Sequence, residues 1–318
     1  MLLPAKYLHK TGNKLQNLNI EGDFIQNLTL KENRRHGDIL LPINTYHMII
    51  PSHANIFDCH WHDEFELFKL DKGEALVQIG STYRKVQEGD LLFINSGELH
   101  AAKTVDNSGC NFRAAVFSPE MLLAPANDQI LIKYVAPILN GHLILHSPIK
   151  RQNEHENNIQ ECFDEIYRLI KNQPAGYELA VKANLFLLFG EFIACSHYDN
   201  QIRTVKKDTG TIENIKNIIN YIEKNYPENL TIQLLAERMN VSPGHFCRLF
   251  KQYTMKTPIQ YINYYRLSKA MELLQTTDRK ILDIALDTGF NSMSYFINVF
   301  RENMGCTPSE YRKRIKAK

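Results

Sequence analysis

Three imidazoles and one carboxylate give this chain its first recognisable chemistry: His60-x-His62-x-x-x-Glu66, followed further along by His100. On an extended strand side chains alternate, so positions 60, 62 and 66 would share one face. Neutral imidazoles with a single carboxylate are ligands for a divalent transition metal such as Zn²⁺, Mn²⁺, Fe²⁺ or Ni²⁺. One acidic ligand is too little charge to favour Ca²⁺ or Mg²⁺. The same groups could instead hydrogen-bond an organic effector, or serve as plain polar positions at a barrel mouth. No glycine-rich phosphate loop and no Ser/His/Asp arrangement accompanies them, so a metal here is the one catalytic candidate.

The second chemistry is nucleic-acid reading, and it is written twice. Leu235, Ala236, Asn240, Val241, Ser242, Phe246, Phe250, Lys251, Thr257 and Pro258 recur as Ile284, Ala285, Gly289, Phe290, Ser292, Phe296, Phe300, Arg301, Thr307 and Pro308. The offset is 50 residues from Phe250 to Phe300 but 49 from Ala236 to Ala285, so the second copy carries one extra residue in or just after its turn. Each copy reads as a short amphipathic helix, a turn at Asn240 or Gly289, and a second helix capped by Ser242 or Ser292. Such pairs place the second helix in the major groove. His245, Cys247 and Arg248 in the first unit, and Met293, Ser294 and Asn298 in the second, are placed to meet base edges. Lys251 and Arg301, with the helix N-termini at Ser242 and Ser292, are placed to meet phosphates. Tyr295 is read as packing beside Phe296, Val299 and Phe300.

The elements that position these groups follow from pattern. Short apolar runs at 43–50, 64–70, 74–80, 91–95 and 112–117, separated by Gly, Asp and Asn, predict a barrel or jelly roll. Segment 153–171 carries Ile159, Cys162, Phe163, Ile166, Leu169 and Ile170 at helical spacing, and 178–197 carries Leu179, Leu185, Phe186, Leu188, Phe189, Phe192 and Ile193. The second stripe is broader than covering a barrel requires. Residues 199–211 are polar without periodicity and read as a linker. A helix over Pro258–Leu274 separates the two duplicated units.

Charge divides in the same place. Residues 206–318 hold 18 Lys+Arg against 11 Asp+Glu, whereas residues 1–205 hold 19 against 24. The basic part suits phosphate neutralisation and the acidic part does not. No basic stretch leads into an apolar core at the start of the chain, and six scattered cysteines without C-x-x-C spacing are read as reduced and structural. The expected location is therefore the cytoplasm, with no membrane contact.

The run "LLAERMNVSPGHFCRLFKQYTMKTPIQYINYYRLSKAMELL", continued by "ILDIALDTGFNSMSYFINVFRENMGCTPSEYRK", resembles the DNA-binding domain of AraC/XylS-type transcription regulators over residues 212–313. Two positions depart from the family pattern. Met255 stands where Gly is usual, as Gly305 is in the second copy, which predicts a distorted end to the first recognition helix. Gly244 stands where the family often has a large base-contacting side chain. Gly73 after Glu66, and Gly89 and Gly97 before His100, resemble the two motifs of metal-binding cupins, with Asn95 where Pro is usual. The N-terminal domain of AraC-type regulators is itself cupin-like, so the resemblance spans most of the chain.

The resemblance implies an α+β multidomain protein: an N-terminal cupin-like β-barrel with flanking helices and a C-terminal all-α domain with two helix-turn-helix units. The expected divisions are 1–150 for an effector-binding barrel, 151–198 for a helical dimerisation segment, 199–211 for the linker and 212–318 for the DNA-binding domain. The implied function is a non-enzymatic, sequence-specific transcription regulator. Its expected partners are double-stranded DNA, a small-molecule effector such as a sugar or related metabolite, a second copy of the chain and RNA polymerase. One divalent transition metal is the expected cofactor. The competing expectation is a metal-dependent cupin enzyme fused to a DNA-binding domain.

Overall fold

The computed structural model describes residues 30–316, apart from 33, 53–54, 106–108, 123–128, 141–144, 146 and 199–208. The chain forms two compact units, one spanning Asn33–Thr209 and one containing Gly210–Lys318. Most of the expected linker lies outside the described residues, and helix begins by Thr209.

The first unit holds seven strands: β1 (Ile43–Ile50), β2 (Asn55–His60), β3 (Phe65–Ile79), β4 (Thr82–Gln87), β5 (Leu91–Ile94), β6 (His100–Thr104) and β7 (Cys110–Phe117). They run β1-β7-β3-β6-β2, with β4 and β5 also paired to β3. Sequence pattern broke β3 into two strands near Gly73. The structure keeps one strand of 15 residues and bends it there. The register against β7 slips between Leu70 and Lys72, and Gly73 takes φ +91°. A Cβ at position 73 would stand 2.5 Å from the Gly109 carbonyl oxygen, so a side chain has no room at the bend. The bend lets Phe65–Gly73 pair with β5 and β7 while Glu74–Ile79 pairs with β4 and β6, curling the sheet into a half-barrel.

Alternation along β3 gives the sheet two apolar faces. Phe68, Leu70 and Val77 join Ile56 and Phe112 inside the curl. Phe65 and Leu67 face the other way, onto α1 (Glu154–Asn172) and α2 (Tyr177–Tyr198). Asn153 caps α1 by accepting the Glu156 amide. Lys69 fixes that helix against the strand, donating to both carboxylate oxygens of Asp164 at 2.8 Å. The apolar stripe of α2 is largely spent on this packing. Leu185, Leu188, Phe189 and Phe192 are buried, with Phe189 5.6 Å from Phe65 and 5.8 Å from Phe93 between ring centroids. Leu179 and Leu187 remain outside, 79% and 55% exposed.

The second unit contains α3 (Thr209–Asn225), α4 (Ile232–Arg238), α5 (Pro243–Thr254), α6 (Pro258–Thr276), α7 (Ile281–Asp287), α8 (Met293–Met304) and α9 (Pro308–Lys316). Each duplicated turn is closed by the same hydrogen bond: Val241 N–H donates to Ala236 O at 3.1 Å, and Phe290 N–H to Ala285 O at 2.9 Å. Asn240 and Gly289 supply the left-handed residue, with φ of 54° and 88°. The extra residue of the second copy is Asn291, which follows the closing bond and precedes the cap Ser292. The expected distortion at Met255 does not occur. Met255 adopts φ 60°, and its amide closes on Lys251 O at 2.9 Å just as Gly305 closes on Arg301 O. A left-handed methionine costs about 1–2 kcal/mol, and its side chain, 41% exposed, meets no crowding that would add to it.

Arg266 of α6 braces the second turn. Its guanidinium donates to Tyr226 O at 2.8 Å and Glu228 O at 2.7 Å, just past the end of α3, and lies 5.9 Å over the Phe290 ring. Among the described residues no helix is long and apolar enough to cross a membrane.

Candidate metal centre and nucleic-acid interface

His60, His62, Glu66 and His100 do come together, but not from one strand. His60 ends β2, His62 sits in the turn that follows, Glu66 is the second residue of β3 and His100 opens β6. The chain cannot stay extended through 61–64, because Phe65 and Leu67 must begin burying against the helices. Antiparallel pairing of β2 with β6 sets His60 opposite His100. The ring centroids of these two are 4.2 Å apart, and His62 lies 5.0 Å from His100.

The four ligand atoms lie within 4.8 Å of one another. His62 Nε2 is 3.2 Å from Glu66 Oε2. His100 Nε2 is 3.3 Å from that oxygen but misaligned, so a wholly buried ring nitrogen lacks a hydrogen bond. Each imidazole is held by its other nitrogen. Nδ1 donates to a backbone carbonyl in all three: His60 to Asp58 at 2.8 Å, His62 to Glu64 at 3.1 Å and His100 to Glu98 at 2.7 Å. That bond places the proton on Nδ1 and turns the Nε2 lone pair inward, as metal-ligating histidines are held.

Electrostatics favours the same form. Burial, then His100, pushes the His60 imidazole well below its ordinary value, so it stays neutral. Burial alone would raise the Glu66 carboxyl. The close approach of His100 and His62 outweighs it and holds the group well below the usual carboxylate range. His62, Glu66 and His100 are buried, and Phe57 walls His60 and His100 edge-on at 5.5 and 5.6 Å. Bonds of about 2.1 Å to a shared ion need only a modest inward rotation of these side chains. Three nitrogens and one carboxylate oxygen suit a transition metal.

The loop before His100 explains the Asn95 departure. Asn95 Nδ2 donates to Ile138 O at 2.8 Å, and its backbone N–H donates to Glu98 Oε2 at 3.1 Å. Proline has neither donor. Glu98 in turn presents the carbonyl that orients His100. Gly97 N–H donates to His62 O at 2.8 Å, joining the two ligand loops.

Sequence gave no hint of His36. It lies on the segment before β1, 4% exposed, with its ring centroid 5.7 Å from that of His62. A lone histidine outside any strand pattern carries no signal of its own.

In the helical unit His245, Arg248, Lys251, Ser294, Asn298 and Arg301 are exposed on α5 and α8, while Cys247 and Met293 are half-buried. Phe246, Phe250, Phe296 and Phe300 are fully buried behind them. Among the described residues no carboxylate is paired with Arg248, Lys251 or Arg301, so their charges face outward uncommitted. Tyr295 does not pack as expected. It is 46% exposed, and its hydroxyl accepts from Asn263 Nδ2 at 2.6 Å.

Two convergent parts therefore define the class: a half-barrel with an enclosed polar site, and a paired helix-turn-helix unit that reads duplex DNA. The AraC-like ligand binding domain model matches residues 46–189, and a helix-turn-helix domain model matches 235–314. The chain is 30% identical over 292 residues to the uncharacterized HTH-type transcriptional regulator YdeC of Bacillus subtilis, covering 92% of this chain and 98% of that one. It is 26% identical to the HTH-type transcriptional activator RhaS of Escherichia fergusonii, covering 81% of this chain and 88% of the relative. Among solved structures, ToxT from Vibrio cholerae aligns over 87% of this chain and 98% of its own, at 18% identity and a TM-score of 0.39. The chain belongs to the AraC family of transcriptional regulators and is a DNA-binding regulator with an effector-binding domain.

Proposed function

We propose that this regulator senses a divalent transition metal, held by His60, His62, Glu66 and His100, and adjusts its grip on DNA accordingly. The carrying observation is the shared setting of the imidazoles: each has Nδ1 tied to a carbonyl, the Nε2 atoms of His62 and His100 lie 3.2 and 3.3 Å from Glu66 Oε2, and all four ligand atoms lie within 4.8 Å of one another. A bound cation would supply a positive centre able to take an oxygen ligand. The chain's own residues would hold it, keep the His60 imidazole neutral and bury His62, Glu66 and His100 away from bulk water. This reading makes the barrel a sensor, not a catalyst, and places the protein in the cytoplasm with its DNA. Operator affinity measured with Zn²⁺, Mn²⁺ and Ni²⁺, and again after chelation, tests it. A change of about 5- to 150-fold is expected for one of them; identical affinities in every condition would remove the sensing role.

On DNA, α5 and α8 are the reading helices, entering successive major grooves about 34 Å apart. Arg248→Ala is expected to cost about 1–3 kcal/mol at the cognate operator and to relax preference at one base position. Lys251→Ala is expected to weaken all sequences evenly and to reduce the salt slope by about one phosphate contact. Binding curves on operator and scrambled duplex separate the two roles, and indistinguishable losses would contradict them.

The exposed face of α2 supports self-association. Leu179 and Leu187 protrude from a helix whose opposite side already covers the sheet, and such a residue pair suits a symmetric contact with a second copy. Leu187→Asp is expected to turn a dimer into a monomer in sedimentation without lowering the melting temperature of the barrel. An unaltered dimer would move the interface elsewhere. RNA polymerase is the expected partner of the DNA-bound form.

A further inference from the structure

A fourth imidazole stands beside the cluster with the opposite polarity. The Nδ1 of His36 lies 2.8 Å from the hydroxyl of Tyr46. Asn44 Nδ2 donates to that same oxygen at 3.3 Å. With Asn44 donating to the phenol, the arrangement that uses both contacts has the phenol give its own hydrogen to Nδ1, with the hydrogen of His36 on Nε2. In His60, His62 and His100 the order is reversed, with Nδ1 donating to a carbonyl and Nε2 carrying the lone pair. Three rings are thus set as ligands and the fourth as a hydrogen-bond donor.

The same edge carries a cation. The guanidinium of Arg34 lies 5.1 Å over the Tyr46 ring and is exposed. Among the described residues Glu66 is the one carboxylate of the four-residue cluster, with Glu64 outside it 3.7 Å from His62 Nδ1, so a divalent ion there would not have its charge cancelled by its ligands. His36 stands beside that centre, Tyr46 and Arg34 stand in turn beside His36, and an ion of five- or six-fold coordination would keep a position to spare beyond its four protein ligands.

We propose that His36, Tyr46 and Arg34 form the subsite for a small carboxylate that completes the coordination of the metal. One carboxylate oxygen would bind the ion and accept from His36 Nε2. In a dicarboxylate, the far carboxylate would meet Arg34 as a bidentate pair. The proposal rests on the metal reading above and names the organic partner of that same site. Neutral polyols offer nothing for the guanidinium to neutralise, so the edge selects against them.

Full-length protein loaded with Co²⁺ provides the test, because visible absorption of the ion reports its ligands directly. Malonate is the dicarboxylate probe and acetate the monocarboxylate control. Malonate should shift the spectrum in the wild type, and both His36→Leu and Arg34→Gln should weaken that response about tenfold or more. Cobalt stoichiometry should stay unchanged in both variants. Acetate should respond to His36→Leu but not to Arg34→Gln. Arg34 is exposed, so its variant remains informative even if loss of His36 loosens the barrel. Cobalt bound with a spectrum indifferent to malonate, or a malonate response untouched by either substitution, overturns the subsite while the metal reading stands. Absence of bound cobalt overturns both.

Discussion

Protein purified without chelator or metal-affinity resin is expected to carry about one divalent transition metal per chain, and His62→Ala to carry none. His62 is 1% exposed, and its Nε2 contributes the aligned contact to Glu66 at 3.2 Å. Without it the cluster keeps two imidazoles and one carboxylate, and a void opens next to them. Losing a ligand this enclosed leaves an incomplete shell, and the weakened site is expected to release its ion during purification. A second readout follows from mass action: chelator should lower the melting temperature of the wild type and leave His62→Ala where it was. Metal far below stoichiometric in the wild type, or equal in both proteins, would return these residues to the role of hydrogen-bonding an organic effector.

Gly289→Ala should be the most damaging single methyl group in the DNA-binding unit, at about 2–5 kcal/mol. Its φ of 88° costs an alanine about 1–2 kcal/mol. The added Cβ would also stand 2.7 Å from Tyr226 O and 2.8 Å from Arg266 Nε. Backbone cannot yield there without breaking the Arg266 brace, so overpacking adds about 1–3 kcal/mol. Gly305→Ala provides the control. It has a similar φ of 68°, yet nothing lies within 4 Å of its Cβ, so only the conformational cost of about 1–2 kcal/mol applies. Thermal unfolding and operator binding of the two variants measure the difference, and equal losses would mean that Arg266 moves aside freely.

The helix-turn-helix pair was legible because its signals are local. Ser caps, a left-handed turn residue and aromatics at helical spacing specify each unit within about twenty residues, and duplication repeats the message. Met255 showed the limit: sequence marks the residue as unfavourable for its conformation, yet the helix closes there on Lys251 just as it closes at Gly305. In the barrel the ligand types were legible and their placement was not. Spacing alone put His60, His62 and Glu66 on one strand face, whereas the turn at 61–64 and the pairing of His60 with His100 build the site from three elements. Neither feature has a local signature. The stripe of α2 was ambiguous for a related reason. A helix apolar on several sides must bury more than one of them, and only the sheet shows that Phe189 faces inward and Leu187 outward.

Strand β3 has one further consequence. Glu66 projects toward the imidazoles, and its immediate neighbours Phe65 and Leu67 project into the layer that holds Phe189. The strand is therefore a floor to one compartment and a ceiling to the other, one backbone thick. Whatever draws on the Glu66 carboxylate has two courses. It can be met by rotation about the side chain's own bonds, which leaves the aromatic layer untouched. Otherwise it must carry the main chain with it, and then both flanking anchors travel as well. A demand beyond the reach of one glutamate side chain is therefore passed through the backbone to Phe65 and Leu67 and onto Phe189 on the far side.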